Sequence, residues 1–126
     1  MRQFFKIAAI AMLLGSGLPA QQAPSAKSTF LVVYKPGPRW LAGKPLAQQS
    51  LGAHGKYMLS LYMHGDLKIA GPFADDFGGA VILNAANEAE AKGIVMKDPA
   101  VVAGVFVYEL HPWSLVDWES RAGAKK

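Results

Sequence analysis

The order in which strand-like and helix-like segments follow one another is the feature of this sequence that most narrows its folds. Short β-branched and aromatic runs predict strands, and apolar residues spaced three and four apart predict helices. The predicted elements are a strand at 29–34, a helix at 46–64, strands at 67–73 and 80–83, a helix at 88–98 and a strand at 105–110. This β-α-β-β-α-β order predicts a ferredoxin-like arrangement of the α+β class.

Capping and turn residues support the predicted helix boundaries. Gly65 suits the position just after the first helix, where a left-handed backbone is common. Asn87, with Glu90 three residues later, resembles a capping box at the start of the second helix. Pro99 disfavours helical geometry at Asp98, so we expect the second helix to end there.

The N-terminal residues have the three-part pattern of a secretory signal peptide. Arg2 and Lys6 precede the apolar run 7–14, which is broken at 15–17 and followed by Ala20. The run is shorter than the roughly 20 residues that span a bilayer. We therefore expect cleavage after Ala20 or, as second choice, Ala23, and a periplasmic or secreted protein; an uncleaved N-terminal helix is the alternative. The predicted organisation is a signal peptide 1–20, a flexible leader 21–28, one α+β domain 29–118 and a polar tail 119–126.

Composition excludes several classes of function. The 126 residues suit one domain, and the absence of cysteine excludes disulfides, thiolate metal sites and a cysteine nucleophile. The formal net charge is only +4, and Arg2 and Lys6 fall in the segment expected to be removed, so neither nucleic acid nor a membrane surface is indicated as a partner. Motifs of serine hydrolases, nucleotide enzymes and zinc proteases are missing. His64 and His111 have no companion at metal-ligand spacing, so we predict no metal and no cofactor.

One face of the predicted sheet is left uncovered by the two predicted helices. Two helices cover one face of a four-stranded sheet, yet the strands at 29–34 and 105–110 are apolar on both faces. A second copy of the chain would cover the open face, so we predict a homodimer. The alternative is that the C-terminal tail, with Trp113 and Trp118, folds over this face.

Short motifs along the chain together resemble those of the YCII-related family. They are HGKYMLSL at 54–61, GDL at 65–67, GPF at 71–73, GG at 78–79, EA at 88–89, DP at 98–99, AGVF at 103–106 and PW at 112–113. The resemblance covers residues 29–113. It implies a dimeric α+β barrel, made of two ferredoxin-like units packed sheet to sheet, and an active site built around a His and an Asp. The family includes a dehydrochlorinase that acts on a chlorinated hydroxyquinone.

Three residues are candidates for catalysis. His54 lies on the apolar stripe of the first helix and should point inward; it is either a hydrogen-bonded core residue or, as the resemblance implies, a group that transfers protons. Asp98 continues the buried face of the second helix, so it needs a partner, which His54 would provide; alternatively, it only ends the helix by binding backbone N–H groups. Asp75 is the second choice for the acid, although turn chemistry alone explains it.

Candidate binding residues lie at the end of the second predicted strand and in one loop. Gly71, Pro72 and Phe73 are expected to shape the wall of a pocket. In the proline-rich loop 35–45, Arg39 and Trp40 would hold an anionic or aromatic ligand, unless the loop is merely solvated. Proton transfer with elimination or isomerisation on a small organic substrate fits these residues, and the resemblance implies a His–Asp pair and a lyase similar to a dehydrochlorinase, or an isomerase. A non-catalytic ligand-binding or accessory protein is the alternative.

Overall fold

The computed structural model of the protein describes residue 15 and residues 26–123. The predicted signal peptide, apart from residue 15, and residues 21–25 of the predicted leader lie outside the described residues, as do residues 124–126. No helix in the described part is both long and apolar enough to cross a membrane.

Four antiparallel strands form one sheet, with helices between them in the chain. The strands are β1 (Ser28–Pro36), β2 (Leu67–Pro72), β3 (Gly79–Ala85) and β4 (Phe106–Pro112), and the helices are α1 (Gly52–His64), α2 (Glu88–Met96), α3 (Pro99–Val102) and α4 (Trp118–Gly123). The strand order is β2-β3-β1-β4. This arrangement confirms the predicted α+β, ferredoxin-like fold.

The core lies between the sheet and the helices. Phe30, Val32 and Tyr34 of β1 are buried on the helix side, while the intervening Leu31 and Val33 are half-buried on the opposite face, which we call the outer face. This alternation follows from the two-residue period of a strand. The core residues supplied by the helices are Leu61, Ala91, Val95 and Ala100.

The first predicted helix is shorter than expected. Residues Leu46–Gln48 form a separate turn of 3-10 helix, and the backbone is extended at Gln49 before α1 begins at Gly52. Gln49 is buried, and its side chain binds the N–H and carbonyl of Leu41 and the carbonyl of Lys44. These bonds hold the preceding loop in place, so residues 46–51 belong to the loop rather than to the helix. Gly65 ends α1 with φ of 87°, as expected.

The second helix ends earlier than predicted. Asn87 caps α2 by accepting a hydrogen bond from Glu90 N at 2.8 Å, but the helix ends at Met96. Asp98 is extended and caps a further helix, α3, in which Pro99 occupies the first turn. Proline disfavours a helical conformation of the residue before it but suits the first position of a helix. Pro99 therefore prevents α2 from continuing through Asp98 and starts α3.

The outer face is less uniformly apolar than the sequence suggested. The fourth strand begins at Phe106, so Val105 precedes it, and on its outer face Val107 is followed by the polar Glu109 and His111. The two polar residues lie opposite Val33 and Leu31 respectively. Residues 113–123 of the C-terminal tail are exposed, and Trp118 is 70% exposed.

Candidate active site

His54 and Asp98 meet where α1 packs against α3. His54 Nδ1 lies 2.7 Å from Asp98 Oδ2, and Asp98 Oδ1 accepts a hydrogen bond from Ala100 N at 2.9 Å. The Asp98 side chain is fully buried, whereas that of His54 is 16% exposed. Asp98 therefore has both roles considered from the sequence: it caps a helix, and it holds the imidazole.

The bond to Asp98 determines which nitrogen of His54 is available for chemistry. An ionised carboxylate can only accept a hydrogen bond, so Nδ1 of neutral His54 carries the hydrogen and donates it to Asp98, which leaves a lone pair on Nε2. Within residues 26–123, Nε2 makes no hydrogen bond to the protein. If the imidazole takes up a proton at Nε2, the resulting cation faces the buried carboxylate, which stabilises it.

Aromatic rings hold the imidazole on its other sides. The edges and faces of Tyr34 and Phe106 meet the His54 ring at nearly perpendicular angles, with centroids 5.4 Å and 5.2 Å away. Trp40 stacks on Phe106 at 5.7 Å. The position of His54 is thus set by packing as well as by its hydrogen bond.

A cavity of about 280 Å³ opens beside His54. It lies between the sheet, α1 and the loop that precedes α1. Its lining is mainly apolar or glycine, and two of its side chains, His54 and Tyr34, carry hydrogen-bonding groups. The lining residues are Tyr34, Leu46, Leu51, His54, Met58, Ala70, Gly71, Pro72, Gly78, Gly79, Ala80, Val81 and Phe106.

Gly78 and Gly79 line the cavity, and their lack of side chains allows the backbones of β1 and β2 to pack closely against them. A side chain at Gly78 would place its Cβ 2.0 Å from the carbonyl oxygen of Tyr34, and Gly78 has φ of 114°. A Cβ at Gly79 would lie 2.6 Å from the carbonyl oxygen of Gly71. Glycine is required at Gly78 because L-residues rarely adopt that backbone conformation.

Tyr34 is the buried polar residue of the cavity that sequence reasoning missed. Burial, and then the charge of Asp98 and a hydrogen bond to its carboxylate, raise the pKa of the hydroxyl far above the ordinary value. The hydroxyl therefore stays protonated, with Asp98 as its acceptor. The signal available in the sequence was a tyrosine at the end of a run of buried positions, where a polar group must find a partner.

The structure separates the other predicted site residues. Gly71 and Pro72 line the cavity, but Phe73 does not. Asp75 lies in an exposed turn, where its carboxylate accepts a hydrogen bond from Phe77 N, so it does not reach His54.

The loop residues Arg39 and Trp40 also lie outside the cavity lining. Arg39 N donates to Gly104 O at 2.8 Å, and Trp40 lies behind Phe106. Trp40 supports the cavity wall without forming it. Within residues 26–123, no three His, Asp or Glu side chains cluster in a way that would hold a metal ion.

Comparisons with known proteins agree with this fold. The model of the YCII-related domain matches residues 29–114. The uncharacterized protein YjpA of Bacillus subtilis (strain 168) is 32% identical over 68 residues, which are 54% of this chain and 80% of that protein. The structure of 5-chloro-2-hydroxyhydroquinone dehydrochlorinase (TftG) from Burkholderia phenoliruptrix AC1100, in complex with 2,5-dihydroxybenzoquinone, has a TM-score of 0.56 at 24% identity and covers 71% of this chain and 97% of its own. That likeness shows the fold, and the matched domain model shows that the chain belongs to the YCII-related family.

Proposed function

We propose that this protein is an enzyme that transfers a proton to or from a small organic molecule bound beside His54. The observation that carries the proposal is the 2.7 Å contact between His54 Nδ1 and the fully buried carboxylate of Asp98. This contact orients the ring and leaves the lone pair of Nε2 for a substrate. His54 is thus a proton acceptor at the cavity wall, and Asp98 stabilises its protonated form.

The proposed reaction needs the chain's own residues alone. His54 Nε2 removes a proton from the substrate, and Asp98 stabilises the imidazolium that results. The imidazolium then returns the proton to a different atom, which is an isomerisation, or a neighbouring leaving group departs with its electron pair, which is an elimination. A positioned base of this kind typically contributes about 10²- to 10⁴-fold to a rate.

The size and lining of the cavity support a substrate with one ring. A dry apolar cavity of about 150 Å³ already accepts benzene, so about 280 Å³ has room for a ring with several substituents. A solved structure of this fold belongs to a dehydrochlorinase and holds a dihydroxybenzoquinone. Chlorinated hydroxyhydroquinones are therefore the first class to test, with elimination of chloride as the reaction.

The test measures turnover of a panel of chlorinated hydroxyhydroquinones by absorbance and by release of chloride. We expect His54→Gln to lower kcat by about 10²- to 10⁴-fold. His64→Gln is the matched control, because His64 is exposed at the far end of the same helix and faces Asp66 instead. Substrates that bind equally to both variants and to the original protein, with no turnover by any of them, would favour the alternative of a non-catalytic binding protein.

We also propose that two copies of the chain associate through the outer face of the sheet. The helices pack on the opposite face, and the outer face exposes Ile69 by 66%, beside the half-buried Leu31, Val33 and Ile82. An apolar face of this kind usually has a partner, and the resemblance of the fold to dimeric α+β barrels makes a second copy the simplest one.

The dimer is tested by sedimentation equilibrium. Ile69→Glu should convert dimers to monomers, because it places a charge in the proposed interface. Met63→Glu, on the exposed side of α1, should leave the mass unchanged. A monomeric mass for the unaltered protein would refute the dimer.

Export from the cytoplasm is a separate proposal, supported by the basic start, apolar run and small residues within 1–20. Its test is the intact mass of the protein recovered from the periplasm or medium. A mass that corresponds to cleavage after Ala20 is expected, and a chain that retains Met1 would refute cleavage.

A further inference from the structure

The C-terminal end of the described chain exposes large apolar side chains. Every residue of 113–123, which we call the C-terminal arm, is exposed, and the large apolar side chains among them are Trp113, Leu115, Val116 and Trp118. Within residues 26–123, one hydrogen bond joins the arm to the rest of the domain, from Trp113 N to Thr29 O at 2.9 Å, and the others join residues of the arm to each other. A cluster of exposed apolar side chains of this kind marks a surface that contacts another molecule.

The arm begins on the outer face of the sheet. The bond from Trp113 N to Thr29 O continues the pairing of β4 with β1 by one residue beyond Pro112. Because side chains alternate along an extended strand, Trp113 belongs to the same face as Glu109 and His111. The arm is therefore continuous with the face through which two copies are proposed to associate.

The outer face alone is small for a stable interface. Four strands of this length cover roughly 19 Å by 23 Å, or about 450 Å². Stable interfaces bury about 800 Å² of each partner. Trp113 and Trp118 are 42% and 70% exposed, so together they would add roughly 200 Å², since a tryptophan side chain buries about 150–250 Å². Leu115 and Val116 would add more, so the arm supplies much of the area that the sheet lacks.

We infer that the C-terminal arm of each copy packs on the outer face of the other copy, with Trp118 as its main apolar contact. The inference rests on the proposed dimer and adds a second part to its interface. Within one copy the arm leaves the outer face open, because Ile69 on that face is 66% exposed. Tryptophan is also among the residues that contribute most to the stability of interfaces.

The length of the arm suits this position. Residues 113–117 precede α4 and span up to about 17 Å when extended. The two edge strands of the sheet, β2 and β4, are three strand spacings apart, or about 14 Å. The arm is therefore long enough to cross the whole sheet of the partner, whatever the angle between the two sheets.

The first test measures the dissociation constant of the dimer by sedimentation equilibrium of the whole chain. Trp118→Ser should raise this constant about 10- to 100-fold, as expected for a tryptophan at the centre of an interface. Val102→Ser is the matched control, because Val102 is as exposed as Trp118 but lies on α3, on the helix side of the sheet. It should leave the dissociation constant unchanged. Circular dichroism of each variant checks that the fold is retained.

Tryptophan fluorescence gives a second readout, which needs only Trp-to-Phe substitutions. Trp113→Phe leaves Trp118 in the arm and Trp40, which stacks on Phe106 in the domain. When this variant is diluted from dimers to monomers, its emission should move to longer wavelengths, because Trp118 becomes exposed to water. The double variant Trp113→Phe, Trp118→Phe retains Trp40 alone and should show no such change.

Distinct outcomes separate this inference from the proposed dimer. Equal dissociation constants for Trp118→Ser and the unaltered protein, or a constant emission on dissociation, would overturn the role of the arm and leave the sheet-to-sheet dimer intact. A weaker dimer in Trp118→Ser, with no effect of Ile69→Glu, would also overturn the inference, because the arm would then bind a different surface. A monomeric mass at every concentration would refute the proposed dimer itself and the position of the arm with it.

Discussion

The carboxylate of Asp98 joins His54 to the start of α3: Oδ2 lies 2.7 Å from the imidazole, and Oδ1 caps the helix at Ala100 N. The two residues are 44 positions apart in the chain. Because one carboxylate has both tasks, the cap holds the acid in place for the imidazole. Any substitution of Asp98 therefore has a structural and a chemical consequence, which different replacements can separate.

Asp98→Asn should keep most of the stability and lose most of the activity. An asparagine oxygen caps α3 as well as an aspartate does, but its NH₂ group then faces His54 and favours the wrong tautomer of the ring. We expect kcat on a turned-over substrate to fall by about 10²- to 10⁴-fold. The free energy of unfolding in urea should fall by only about 1 kcal/mol.

Asp98→Ala should destabilise the protein further, by about 2–4 kcal/mol, because it removes the cap and leaves buried donors unpaired. Asp75→Asn is the control, since its turn tolerates either side chain. Equal urea midpoints for the Asn and Ala variants of Asp98 would contradict the capping role.

Alkaline pH should destabilise the fold through Tyr34. Burial and Asp98 raise its pKa in the folded protein, and burial with Asp98 and Asp66 raises that of Tyr57. Above about pH 10 the unfolded chain loses these protons while the folded protein keeps them, so the stabilisation is complete below that pH and declines above it. Urea unfolding of Tyr34→Phe should show a shallower decline than the unaltered protein. Identical slopes would show that the hydroxyl titrates alike in both states.

Gly78→Ala should lower stability by about 1–3 kcal/mol. The left-handed backbone at Gly78 strains any other residue, and the new methyl group would collide with the carbonyl of Tyr34. Gly71→Ala is the matched control, because a Cβ there meets open space at ordinary backbone angles. Thermal unfolding compares the two, and equal melting temperatures would refute the steric requirement.

Gln49→Ala should loosen the loop that contributes Leu46 to the cavity. It removes three hydrogen bonds that hold Leu41 and Lys44, so we expect a loss of about 1–3 kcal/mol and faster proteolysis in the loop. Gln48→Ala, at the exposed neighbouring position, should change neither measurement. Identical cleavage rates for the two variants would mean that Gln49 does not hold the loop.

Local patterns in the sequence predicted the elements and some of their ends. The β-rich run at 29–34 predicted the first strand, although its two apolar faces did not show which side is buried, and Gly65 and Asn87 marked helix boundaries that the structure confirms. The start of α1 could not be predicted, because the apolar spacing of residues 46–51 is also compatible with a loop held by a buried Gln49. Pro99 was correctly identified as a helix breaker, while its second effect, the start of α3, went unrecognised.

The sequence by itself determined the order of strands and helices and the inward position of His54, since both depend on residues close together in the chain. The tertiary structure decided which acid meets His54. Asp98 and Asp75 were both candidates, and the choice depends on α1 packing against α3 rather than on any local pattern. It also brought Tyr34 to the same cavity, because a strand and a helix distant in the chain come together only when the core between them is buried.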